Sequence, residues 1–167
     1  SLSEMEGTGG EPDVVDYGGN CSSDGVFSGC GIISFDENSN LIENIGTSFS
    51  TPRATGIYGQ ICSSLQTGYS SELAKALLIH NSKNPLKDKP ISRQHANYLG
   101  FGIPSANLEE IIFCNKSKVT LVFNTQIQSG NLMSMENFPY PSSLKKNNKW
   151  FGEIKMTLLH RPPLNAN

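Results

Sequence analysis

Gly46-Thr47-Ser48-Phe49-Ser50-Thr51-Pro52, continuing as Arg53-Ala54-Thr55-Gly56, is the stretch on which the reading of this chain turns. A proline lacks a backbone N–H and has φ preset near the helical value, so Pro52 belongs in a first helical turn. Behind it, Ala54, Ile57, Tyr58, Ile61 and Leu65 follow i, i+3, i+4, i+7, i+11, which is one apolar face of a helix. The helix is expected over residues 48–66. Ser48 then sits at its N-terminus, hydroxyl exposed, with a backbone N–H that has no helical partner. Both features suit a nucleophile that attacks a carbonyl and must then hold an oxyanion. Gly56 inside the helix costs about 1 kcal/mol relative to alanine. A close approach to a neighbouring strand would account for it.

Working outward, Gly25-Val26-Phe27 and Gly31-Ile32-Ile33-Ser34-Phe35 read as short strands, and Asp36-Glu37-Asn38-Ser39-Asn40 as a polar turn before the motif. Upstream, Pro12-Asp13-Val14-Val15-Asp16-Tyr17-Gly18-Gly19-Asn20 carries a short Val14-Val15 strand out of an irregular, Gly-rich and acidic entry. Downstream, Ser70 or Ser71 caps a second helix with Glu72 in its first turn, running to about Asn81. Residues 82–97, with Pro85, Pro90 and several charges, read as a loop with room for a helical turn. Gly100 and Gly102 mark a tight turn.

These segments resemble the subtilisin-like serine proteases, the subtilases. Their nucleophile motif is Gly-Thr-Ser, a large apolar residue, a small residue, any residue, then Pro, as at 46–52 here. The His-Val-Ala-Gly that usually follows the proline is Arg53-Ala54-Thr55-Gly56, so only the glycine keeps its place, with an alanine one position earlier. Pro12 to Asn20 is similar to the family's Lys-Pro-Asp-Val-Val-Ala-Pro-Gly segment, with Glu11 for the lysine and Asp16-Tyr17 for Ala-Pro. Leu73-Ala74-Lys75-Ala76-Leu77-Leu78 resembles the helix after the nucleophile helix. Tyr98-Leu99-Gly100-Phe101-Gly102-Ile103-Pro104 resembles the turn that closes the catalytic domain.

The resemblance implies acyl transfer with Ser48 as nucleophile, its own N–H as one oxyanion donor, Gly46 and Pro52 supporting the loop, and Thr47 adding a weak hydroxyl contact. It also implies an aspartate and a histidine earlier in the chain than the serine. The three histidines here, His80, His95 and His160, all follow Ser48. The chain therefore reads as the C-terminal half of a subtilase domain, whose partner half supplies base, acid and the second oxyanion donor. In enzymes of this class, loss of the histidine costs about 10⁶ in turnover, so the chain alone is expected to be inactive. The alternative is a non-catalytic fragment or split-gene product acting as a structural or binding module. An esterase order of Ser48, Asp88 and His95 fits poorly, because that family needs Gly-x-Ser-x-Gly and position 50 is serine. His80 reads as a helix-end histidine on the apolar side of the second helix, three and seven residues after Leu77 and Leu73.

With 167 residues the chain has length for a real core. A net charge of −2 and a pI near 5.9 point to neither nucleic acid nor membrane. No apolar run is long enough to span a bilayer and Ser1 opens no signal peptide, which leaves cytoplasmic and secreted locations both open. The four cysteines, Cys21, Cys30, Cys62 and Cys114, form no Cys-x-x-Cys pair. Cys62 reads as a buried thiol beside the helix face. A Cys21–Cys30 disulfide is compatible with the spacing but is the less favoured reading. No residues show metal-ligand spacing and no cofactor is indicated. The partners implied are a polypeptide substrate and the complementary half-domain, with self-association through exposed sheet edges as a further option.

From Ile111 the chain reads as β, with Val119-Thr120-Leu121-Val122-Phe123 and Ile154 to Leu159 as the clearest strands. In the latter, Lys155 and Thr157 face one way and Met156 and Leu158 the other. Ser129-Gly130-Asn131 is a turn, Phe138 to Leu144 a proline-stiffened extended segment, Lys145 to Lys149 a polar loop, and Trp150 to Pro163 a returning strand. Tyr140 and Trp150 are expected in core or inter-domain packing. Pro139, Pro141, Leu144, Thr157-Leu158 and Pro162-Pro163 resemble the β-rich C-terminal extension of certain bacterial subtilases. The fold class expected is α/β: a partial subtilisin-like doubly wound domain over 1–106, then a small antiparallel β module, jelly roll or sandwich, over 107–167.

Overall fold

The structure, a computed structural model, describes residues 12–26, 28–65, 70–86, 92–112, 118–138 and 140–161. Strand β1 (Ile32–Phe35) and strand β2 (Leu41–Asn44) form an antiparallel hairpin in which Ile33 faces Glu43 and Phe35 faces Leu41. Its turn is tied by Asp36, whose Oδ1 accepts from the amides of Asn38 (2.9 Å) and Asn40 (2.8 Å). Asp36 thus imitates a backbone turn with its own carboxylate, and the Asn40 side-chain amide, donating to Oδ2 at 3.0 Å, followed by the backbone amides, holds its pKa below the ordinary carboxylate value. The expected polar turn is present, with β2 as an added strand before the motif. The strand expected at Gly25-Val26 is instead a tight loop, closed by Ser22 N–H donating to the Val26 carbonyl at 2.8 Å. Phe27 lies outside the described residues.

Helix α1 (Thr47–Ser64) and helix α2 (Ser71–His80) follow, then α3 (Arg93–Leu99) and α4 (Leu108–Ile112). Ile61 (fully buried), Ala74, Leu77, Leu78 and Ile111 form the core where α1, α2 and α4 meet, flanked by Val14, Ile57, Tyr58 and Leu65. Burial of a side chain such as Ile61 contributes about 1.5–3 kcal/mol. The periodic face expected of α1 is the face that packs. The cap of α2 is Ser70, whose Oγ accepts from the Leu73 amide at 3.1 Å. Gly56 faces open space among the described residues, so no neighbouring strand accounts for it there.

Two helical assignments differ from the sequence reading. Pro52 lies in the second turn of α1, not the first, because the helix already begins at Thr47. Ile111, read as the start of β structure, is instead the buried residue of α4. Beyond it, residues 119–123 and 154–159 belong to no helix or ladder among the described residues. The one hairpin described there pairs β3 (Lys145–Lys146) with β4 (Lys149–Trp150), where a loop was expected. Asn147 (φ 51°) and Asn148 (φ 59°) form its two-residue turn, the left-handed pair that such hairpins need. Tyr140 and Trp150 stack on each other at 4.2 Å between ring centroids, with Trp150 still exposed, so they serve this local hairpin. The described sheets are two antiparallel pairs. They are consistent with an α/β chain, and neither a doubly wound parallel sheet nor a jelly roll appears among the described residues.

The segment 155–161 docks along α2 with its alternation as expected. Lys155 Nζ donates to the His80 carbonyl, and to that of Ser82 at 3.4 Å. Thr157 Oγ1 lies 2.9 Å from His80 Nδ1, and Arg161 pairs with Glu72 at 3.0 Å. Met156 and Leu158 point outward, 80% and 87% exposed. From Thr157 to Arg161 an extended chain advances about 13 Å, and from His80 back to Glu72 a helix spans about 12 Å. The two therefore run antiparallel in register.

Candidate active site

Gly46 ends the hairpin connection at φ 151°, ψ 159°, a conformation essentially restricted to glycine. This turn starts α1 directly afterwards, so Thr47 and Ser48 are its first two residues. Phe49 N–H donates to the Gly46 carbonyl at 3.2 Å. The amides of Thr47 and Ser48 have no acceptor among the described residues and point out of a helix of 18 residues. Ser48 is exposed and its hydroxyl has no hydrogen-bond partner among the described residues. Ser50 differs: its Oγ donates back to the Thr47 carbonyl at 3.3 Å. Of the two serines in the motif, Ser48 alone combines a free hydroxyl with a free amide.

Pro52 lies four residues after Ser48, where an ordinary residue would donate its N–H to the Ser48 carbonyl. The proline removes that bond and its ring crowds the carbonyl, so the turn that carries Ser48 is held less by its own helix than by what packs against it.

What packs against it is the segment 12–20, a strap that touches three elements. At one end, Phe101 N–H donates to the Asp13 carbonyl (2.9 Å) and Val15 N–H to that of Gly102 (3.0 Å), while Asp13 pairs with Lys75 of α2 at 2.8 Å. These bonds stand where a Val14-Val15 strand was expected. In the middle, Gly46 N–H donates to the Gly18 carbonyl at 2.8 Å, and a Cβ on Gly18 would lie only 2.7 Å from the Gly46 carbonyl oxygen. At the far end, Asn20 N–H donates to Cys30 at 2.9 Å. Asp16 pairs with Arg53 of α1 at 3.2 Å, its side chain only 3% exposed.

The histidines lie elsewhere. His80 is held by Thr157 at the end of α2, and its pKa is pushed below the ordinary value first by burial and then by the Lys155 and Lys118 ammoniums. His95 is exposed on α3, where its amide caps onto Ser92 Oγ at 3.3 Å. His160 is exposed in the extended segment beside α2. Among the described residues none is hydrogen-bonded to Ser48. Asp88 lies outside the described residues. Cys21 and Cys30 are free thiols, Cys62 is half-buried, and Cys114 lies outside the described residues. No His, Cys, Asp or Glu cluster fit for a metal occurs among the described residues, and no described helix is long and apolar enough to cross a membrane.

Residues 3–102 match the Subtilase family, and the chain belongs to that family of serine proteases. No curated protein and no solved structure matches the chain.

The sequence reading named Ser48, Gly46, Thr47 and Pro52; the structure places Gly46, Thr47 and Ser48 together at the start of α1 and Pro52 in its second turn. It missed Gly18 and the Asp16–Arg53 contact. The signal was available: two departures from the family pattern, one acidic and one basic, in segments that both flank the nucleophile.

Proposed function

We propose that this chain contributes the nucleophile half of a serine endopeptidase, with Ser48 as the attacking residue. The observation that carries this is the pairing of a free Ser48 hydroxyl with a free Ser48 amide at the start of α1. In the proposed reaction Ser48 Oγ bonds to the peptide carbonyl carbon and its proton passes to a general base. The oxyanion is held by the Ser48 N–H, with Thr47 Oγ1 nearby, and collapse expels the amine and leaves an acyl-enzyme that water hydrolyses. The base, its carboxylate and the second oxyanion donor come from polypeptide outside these 167 residues. Residues 1–106 form the catalytic part, and 107–167 an extension with the character of a β module, carried on α2 by Lys155, Thr157 and Arg161.

The apolar outer face of the hairpin supports a complementary half as partner. Ile33, Phe35 and Leu41 share that face and stand about 70% exposed. A chain that completes the domain would cover them; failing that, the same face favours self-association.

The test is fluorophosphonate labelling with intact mass, on this chain, on its Ser48→Ala variant and on the protein from its native source. Labelling in a larger native species, absent from Ser48→Ala, is the expected result. A native mass equal to this chain with no labelling would leave a binding or structural module in its place.

A further inference from the structure

The nucleophile motif and the upstream segment each depart from the family pattern by a charge, Arg53 for histidine and Asp16 for alanine, and the two residues are in contact. Arg53 Nε lies 3.2 Å from Asp16 Oδ2. The other oxygen, Oδ1, accepts the Tyr17 amide at 2.7 Å. The partners are unequally placed: the Asp16 side chain is 3% exposed, that of Arg53 59%. Helical side chains lean toward the N-terminus, so Arg53 reaches back along the first turn of α1 to the strap. Two residues further along the strap, Gly18 accepts the Gly46 amide at 2.8 Å. The ion pair and this hydrogen bond thus grip adjacent points of the strap from the two ends of the turn that carries Ser48.

We infer that Asp16 and Arg53 are a matched positioning pair that clamps the strap to the start of α1 and thereby fixes the Gly46–Ser48 turn. The need for a clamp follows from Pro52, which deprives the Ser48 carbonyl of its helical donor and leaves the turn dependent on outside contacts. The match follows from burial. An unpartnered carboxylate in that position is strongly unfavourable, whereas the exposed guanidinium can be solvated without it. The pair therefore behaves asymmetrically: Arg53 is indispensable only while Asp16 is present. Its consequence for catalysis rests on the nucleophile reading of Ser48; its consequence for the strap does not.

Amide hydrogen exchange on the full chain tests this, with Arg53→Ala, Asp16→Ala, the double variant and Arg53→Lys. The Gly46 amide reports the clamped end of the strap, and the Phe101 amide, bonded to Asp13, the other end. Arg53→Ala is expected to speed exchange at Gly46 by roughly 100-fold with Phe101 and the α2 amides little changed. Asp16→Ala alone is milder, adding it to Arg53→Ala restores most of the protection, and Arg53→Lys keeps it. Should Arg53→Ala fail to fold, folding of the double variant is the expected rescue. Unchanged exchange at Gly46, equal acceleration at every amide, or a double variant no better than Arg53→Ala would each overturn the inference. In the native assembled protein, the rate of fluorophosphonate labelling at Ser48 should follow the same order. A wild-type protein that never labels refutes the nucleophile reading instead, and the exchange pattern still judges the clamp.

Discussion

Replacing Gly18 by alanine isolates the close backbone contact between the strap and the Gly46–Ser48 turn. Gly18 has no left-handed φ, so the substitution leaves the local backbone allowed and acts only through space. The added Cβ would stand 2.7 Å from the Gly46 carbonyl oxygen and 3.2 Å from its carbon. Both atoms are backbone, fixed on one side by β2 and on the other by α1, so no rotamer change relieves the clash. The strap must move away, at an overpacking cost of about 1–3 kcal/mol. The Gly46 N–H to Gly18 bond is stretched with it, which adds about 0.5–1.5 kcal/mol. The sum, about 1.5–4.5 kcal/mol, shifts a urea midpoint by about 0.8–2.3 M at an m-value of about 2 kcal/mol/M.

Gly56→Ala is the internal control. It is the same chemical change on α1, but its Cβ meets nothing within 4 Å, so it should raise stability by about 1 kcal/mol. Urea unfolding followed by far-ultraviolet circular dichroism gives both midpoints. Opposite signs are expected. A Gly18→Ala midpoint within error of wild type, with unchanged m, would refute the claim that the strap and Gly46 are packed backbone on backbone.

Two further outcomes are expected. Gly100→Ala should be more severe than Gly18→Ala: Gly100 has φ 50°, and a Cβ there would run into the Pro12 carbonyl and lie 2.6 Å from that of Asp13, which detaches the strap at its other end; loss of the cooperative unfolding transition, or of soluble chain, measures it. His80 gives a pH dependence of definite sign. Burial first, then Lys155 and Lys118, hold its pKa below the ordinary 6.5, so folded His80 stays neutral where the unfolded chain takes up a proton. Stability is therefore full above about pH 6.5 and falls below it, and His80→Gln should lose less between pH 7.5 and pH 5.5 in urea midpoints; an identical pH profile would contradict the assignment.

The elements legible in the sequence are those whose cause is local. The start of α2 is written in Ser70 and Glu72, and its packing face in Ala74, Leu77 and Leu78, all within one short window. Alternation was equally legible at 155–158, because outward Met156 and Leu158 and inward Lys155 and Thr157 need only a period of two. The misread elements have non-local causes. Proline marked the wrong turn of α1, since the helix begins where Gly46 takes a glycine-only conformation and the strap holds it. Helix α4 has five residues, too few to show a period, and exists because Ile111 fits between α1 and α2. Strand β2, Leu41-Ile42-Glu43-Asn44, shows no alternation, and its identity comes from pairing across the Asp36 turn. Val119 to Phe123 has β-forming side chains but no ladder partner among the described residues, and propensity alone does not make a strand.

The same distinction separates the candidate site from the extension. Around Ser48 the anchoring is backbone to backbone: glycines at 18 and 46 let two chains approach until carbonyl and amide meet at 2.8 Å. Such contacts fix position to a fraction of an ångström, which is what the proposed role of Ser48 requires. Beyond α4, whose Ile111 joins the core, the chain is fastened instead largely by long side chains, several of them at the C-terminal end of α2. Lys155 donates to the His80 and Ser82 carbonyls, and Lys118 to the Asn81 side chain at 2.8 Å and the Glu110 carbonyl at 2.8 Å. A helix end leaves carbonyls without donors, and ammonium groups there satisfy them and complement the dipole by about 0.3–1 kcal/mol each. Attachment of that kind is tolerant in geometry and leaves the extension's apolar residues outward. Backbone contacts thus hold the Gly46–Ser48 turn at the start of α1, and side-chain contacts along α2 carry the later segment.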